Sequence, residues 1–202
     1  ATNTETVSYS GANNIWTCTV VAHNSDADGA VTFSVGYSDT AGNAGVADET
    51  VDDSSTMTHD DTVPTLGTVG LATAGTANAN DGDQITLTFT ATETIQTPTC
   101  TFTDSASDAM AGSVTVANTG GNVWTCVLTT ANDDANGAMT FSVAFSDAAG
   151  LAGVAVTATG DSSSVTIDNT HPTLGTVGIA TAGSGNANNG DSITLTFTAT
   201  ET

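Results

Sequence analysis

An all-β chain folded as two-sheet sandwiches is what this sequence predicts, on three observations. Apolar and polar residues alternate with period two in one segment after another. β-Branched residues dominate those segments, and none carries apolar residues at the three-and-four spacing of a helix. Shifted by 108 residues, the chain lies on itself without a gap, and 54 of the 94 paired positions are identical, so the unit of construction is a repeated module. Asp60 to Gly70 returns as Asp168 to Gly178, a junction, and Asp83 to Thr94 returns as Asp191 to Thr202 with Gln84 replaced by Ser192, a core strand. The expected division is 1–62, the C-terminal part of one unit; 63–170, a complete unit; and 171–202, the N-terminal part of the next. Such a division makes the chain a window on a longer tandem array.

The elements follow in order from one proline to the next. A first strand near 65–72 leaves the Pro64 junction. In the second, near 84–92, Ile85, Leu87, Phe89 and Ala91 share one face and Thr86, Thr88, Thr90 and Thr92 the other, so one side is core and one is wet. A third near 97–103 carries Cys100, a fourth lies near 113–117, and a fifth near 122–129 carries Trp124 and Cys126. The sixth, near 138–146, turns Met139, Phe141, Val143 and Phe145 inward, and the seventh, near 162–168, runs into the next junction. Seven short antiparallel strands in about 100 residues, with turn residues between them, meet the requirement of an immunoglobulin-like β-sandwich. Trp16 and Trp124, paired by the repeat, are expected in cores.

Cys100 and Cys126 both fall on inward faces, and a bridge between them would stabilise by roughly 3–4 kcal/mol through loop entropy. Cys18 is the repeat counterpart of Cys126, so its mate is expected before residue 1. Disulfides imply an oxidising setting, outside the cell or on its surface.

Charge excludes several function classes. There is no Lys and no Arg against 22 acidic residues, so no side-chain salt bridge can form except to a protonated His. Nucleic acid is excluded as a partner, because affinity for phosphate comes from Lys and Arg displacing counterions. Anionic lipid is disfavoured, and no segment reads as membrane-spanning. With 17 Ser and 42 Thr the outer faces are hydroxylated and offer O-glycosylation, whereas no Asn-x-Ser/Thr site occurs.

Phe141-Ser142-Val143-Ala144-Phe145-Ser146-Asp147-Ala148-Ala149-Gly150, its counterpart ending Ser38-Asp39-Thr40-Ala41-Gly42-Asn43, and Val165-Thr166-Ile167-Asp168-Asn169-Thr170-His171-Pro172 carry a family resemblance. They resemble the sixth strand, the Asp-Ala-Ala-Gly-Asn turn and the linker of bacterial Ig-like tandem repeats in giant extracellular and surface, adhesin-like proteins. Similar repeats occur in giant extracellular proteins of algae and other microbial eukaryotes. The resemblance spans the whole period and departs from the pattern at Leu151, where the turn Asn is replaced, and at the cysteine pair.

Alternating strand direction gathers the acids at module junctions. For the complete unit the set is Asp81 and Asp83 with Asn80, Asp104 and Asp108, and Asp133 and Asp134 with Asn132 and Asn136, beside Asp168 and Glu201. At the earlier junction Asn24, Asp26 and Asp28 join Asp60 and Asp61, facing Glu93 and Asp147. Hard oxygens on loops suit Ca²⁺ better than Zn²⁺, and no loop has EF-hand spacing; against this stands the plain role of Asp, Asn and Gly as turn formers.

No catalytic signature is present. His23, His59 and His171 occupy unmatched positions in the period, and there is no nucleophile elbow, phosphate-binding Gly-rich loop, HExxH or CxxC. The expectation is a structural, non-enzymatic subunit of a long extracellular filament, stalk or sheath, stiffened by calcium and partnered by copies of itself end to end and laterally. The alternative is an adhesin extender or binding module recognising a glycan or surface.

Overall fold

The computed structural model describes residues 8–12, 14–75, 77–183 and 185–201. The first residues of the expected 1–62 unit therefore lie outside the described residues. Every regular element among those described is a strand: β1 (Ser8–Ala12), β2 (Ile15–Thr19), β3 (Gly29–Ala30), β4 (Thr58–His59), β5 (Gly70–Thr73), β6 (Asn78–Ala79), β7 (Gln84–Thr90), β8 (Thr99–Thr103), β9 (Val114–Gly120), β10 (Val123–Thr129), β11 (Gly137–Ala138), β12 (Thr140–Ala144), β13 (Thr166–Ile167), β14 (Leu174–Thr181) and β15 (Ile193–Ala199).

The core is built by two layers. One is the antiparallel sheet β5-β7-β10-β9, in which Leu71 lies opposite Leu87, Phe89 opposite Trp124 and Leu87 opposite Cys126. In the other, β12 pairs β8 with Phe141 opposite Phe102, β11 pairs β13, and β13 pairs β6 in parallel. Met139 alone separates β11 from β12, so these ladders run as one layer. Ile85, Leu87, Phe89, Cys126, Leu128, Phe102, Phe141, Val143 and Ile167 fill the space between, each at most 7% exposed. Cys100 of β8 is bonded to Cys126 of β10, tying the layers together with a Cα–Cα separation of 6.4 Å. Close packing also explains Gly153: a Cβ there would run into the Phe145 ring and the Pro64 carbonyl.

Several predicted strands change length for local reasons. The segment 65–72 is split, with a Leu66–Ala91 bridge and β5 beginning only at Gly70. Strand 162–168 shrinks to β13 because its start is taken by side-chain bonds: Ser163 N–H and hydroxyl donate to Asp161 Oδ1, and Leu71 N–H donates to Ser163 Oγ at 2.7 Å. β6 was not predicted, having Ala79 as its single apolar residue, and its parallel partner lies almost ninety residues away.

The same alternation elsewhere is not buried. Phe197 is 55% exposed although Phe89, at the equivalent place, is 1% exposed, and the β14–β15 hairpin has no opposing layer among the described residues. The expectation of a buried Trp16 is corrected likewise: Trp124 is 8% exposed and Trp16 is 73% exposed. With no second layer described over it, the Trp16 indole lies against Gly11, its partner in the β1–β2 register, where a Cβ would collide.

Candidate metal centre

Three elements deliver one carboxylate each. Asp60 follows β4, Glu93 follows β7, and Asp147 closes the strand that begins as β12. One oxygen from each of the three lies within 4.8 Å of the others. Two oxygens bound to a single Ca²⁺ at 2.3–2.6 Å stand at most about 5 Å apart, so the trio could share such an ion.

Asp147 is the most buried of the group, 0% exposed. Its backbone is fixed by a bridge to Ile95, by its N–H donating to the Leu151 carbonyl at 3.0 Å, and by Gln96 Nε2 donating to its carbonyl at 2.9 Å. Its Oδ1 accepts the N–H groups of Gly150 at 2.7 Å and Leu151 at 2.8 Å. Its Oδ2 is buried and has no donor. A buried carboxylate oxygen left unpaired is costly, and this chain has no Lys or Arg to supply. Burial, then the charges of Asp60, Asp147 and Asp28, raise the Glu93 carboxyl above its ordinary range. Chemically the site is a hard, anionic oxygen cluster that a divalent cation would neutralise.

No protein-family model and no curated protein matches this chain.

The other predicted ligands are placed differently. Asp28 is a latch: Oδ1 accepts Asp61 N–H at 2.8 Å, Oδ2 accepts the Thr62 hydroxyl, and His59 Nδ1 lies 3.4 Å away, an ion pair only when the imidazole is protonated. Asp26 Oδ2 accepts His23 N–H and Asp83 Oδ2 accepts Asn80 N–H, each within its own turn, while Asp134 accepts Ala131 N–H within its turn and Ala111 N–H from a separate loop. Asp104 Oδ2 accepts Ala135 N–H at 2.9 Å while Oδ1 accepts Ala106 and Asp108 N–H, stitching two loops together. Asp168 Oδ1 accepts Thr170 N–H, and Asp168 shares a cleft with Asp81. Asp61, Asp108 and Asp133 are not brought into the trio, and Asp168 and Glu201 hold the places of Asp60 and Glu93 one period on.

Sequence reading did not find the latch. It recurs without charge: Asn136 Oδ1 accepts Asn169 N–H at 2.7 Å and Asn136 Nδ2 donates to Thr170 Oγ1 at 2.5 Å, the same links 108 residues on. The signal was available as the matched pairs Asp28/Asn136 and Asp61/Asn169. The Thr62 hydroxyl first, then the Asp61 amide, hold the Asp28 carboxyl below its ordinary range. Folded Asp28 thus binds a proton less readily than unfolded, so its stabilisation is complete above the ordinary aspartate range and is lost as pH falls through its depressed value. Asn136→Ala is expected to lower stability by about 1 kcal/mol, and Asn136→Asp, which keeps both links in the Asp28 form, to change it by less than about 0.5 kcal/mol at neutral pH. Urea unfolding midpoints at pH 7 check both values.

Proposed function

We propose that this chain is a structural segment of a long extracellular filament, stalk or sheath, built from tandem immunoglobulin-like modules and braced by Ca²⁺ where modules meet. The observation that carries the reading is the trio itself. It joins Asp60, from the linker that closes the predicted first unit, to Glu93 and Asp147 of the second. An ion there would remove like-charge repulsion and pin two neighbours in one orientation.

The layers support the modular part of the reading. β5-β7-β10-β9 facing a second layer of β8, β12, β11, β13 and β6 supports a sandwich, with the four-stranded sheet having the size of one sheet of a constant-type immunoglobulin domain. Hydrogen bonds repeat at the module spacing as well: Thr65 N–H donates to Thr92 Oγ1 at 3.0 Å and Thr173 N–H to Thr200 Oγ1 at 2.9 Å. An inter-layer disulfide is compatible with an oxidising, extracellular setting, and among the described residues no helix is long and apolar enough to cross a membrane.

Calcium removal tests it. Calcium at a hundred times its dissociation constant stabilises the bound form by about 2.7 kcal/mol. Chelation is therefore expected to lower the thermal midpoint and to shorten the mean end-to-end distance of the chain in small-angle scattering. If both stay constant through addition and removal of calcium, the reading is abandoned.

A further inference from the structure

Two turns closed by the same backbone hydrogen bonds, Asp39–Asn43 and Asp147–Leu151, differ at two side chains, Thr40 against Ala148 and Asn43 against Leu151, and only the second pair lies at the carboxylate. In the first, Asp39 N–H donates to the Asn43 carbonyl at 2.9 Å, and Asp39 Oδ1 accepts Ala41 N–H at 2.9 Å and Asn43 N–H at 2.8 Å. In the second, Asp147 N–H donates to the Leu151 carbonyl at 3.0 Å, and Asp147 Oδ1 accepts Gly150 and Leu151 N–H. The remaining oxygen is where they part. Asp39 Oδ2 accepts the side-chain amide of Asn43 at 2.8 Å, whereas Leu151, in the corresponding place, has no donor, and Asp147 Oδ2 is buried without a partner.

We infer that the residue at position 151 decides whether this junction takes a cation. An asparagine there brings its own donor to the carboxylate; leucine leaves Oδ2 without a donor, on a carboxylate that is clustered with Asp60 and Glu93 and that a divalent ion would complete. The turn residue is thereby a code: an aspartate whose turn ends in asparagine is satisfied from within its own module, and one whose turn ends in leucine is completed by calcium. The side chain at 151 controls loading without itself being a ligand. This rests on the calcium reading of the Asp60–Glu93–Asp147 site and assigns its regulation.

The test uses Leu151→Asn and Leu151→Ala in the full 202-residue chain, titrated with CaCl₂ by calorimetry. Leu151→Asn should weaken calcium binding by about tenfold, since it fills one ligand position, and should raise the thermal midpoint of the calcium-free protein. Leu151→Ala removes the apolar side chain without adding a donor, and should keep the wild-type dissociation constant within about threefold. Unchanged binding in Leu151→Asn, or equal weakening in both variants, overturns the inference while leaving the calcium reading intact. An unmodified chain that shows no saturable binding overturns both.

Discussion

Replacing Cys100 and Cys126 together by alanine is expected to lower the unfolding free energy by about 3.5 kcal/mol, the loop-entropy value for a closed loop of this size. The bridge spans 26 residues and joins β8 to β10, so it links the two layers and does not merely reinforce one hairpin. Unfolded chains lacking it regain conformations that the oxidised chain cannot reach, while the folded core loses little, because Cys126 at 0% exposed and Cys100 at 7% are replaced by a smaller apolar side chain. For a sandwich of about 100 residues each kcal/mol moves the midpoint by about 4–8 °C, so the thermal shift should exceed 10 °C. Treatment with a thiol reductant should reproduce it. Coincident melting curves for oxidised and fully reduced protein, with reduction verified by mass, would refute the assignment of this stability to the bridge.

Asp147→Asn should weaken calcium binding by about a hundredfold, the largest effect expected of any single substitution at the junction, because affinity in oxygen sites follows the number of ligand charges. The substituted amide oxygen can still accept Gly150 and Leu151 N–H, so the turn should survive and the loss should fall on the ion. Glu93→Gln removes a more accessible carboxylate and should cost about tenfold. Asp108→Asn, at an acid outside the trio, serves as the control and should change nothing measurable. Calorimetric titration ranks the three; equal affinity in Asp147→Asn and the unmodified chain would move the site elsewhere.

Much of this site was legible before any coordinates. The repeat put Asp60 beside the linker, and strand direction turned Glu93 and Asp147 toward it. What could not be read was the fate of each carboxylate oxygen. Asp28 and Asp104 look like ligands because they are acidic and stand in Asn- and Gly-rich loops, yet their oxygens are taken by Asp61 N–H, the Thr62 hydroxyl and Ala135 N–H. Those donors lie at sequence separations of 31 to 34, and nothing in the local pattern names them. Likewise the exchange of Asn43 for Leu151 is visible as a substitution, but its consequence requires knowing that Asp147 Oδ2 is sealed from water.

From sequence alone came the strand class, the inward residues of β7, β10 and β12, the cysteine pairing and the absence of any Lys or Arg to answer 22 acidic residues. These depend on alternation and composition, which act over a few residues or over the whole chain. Tertiary structure alone decided how Ala79 finds its parallel partner and which distant donors occupy the oxygens of Asp28 and Asp104. Both are products of loop closure over tens of residues, where packing and hydrogen-bond geometry choose among side chains that the sequence presents as equals.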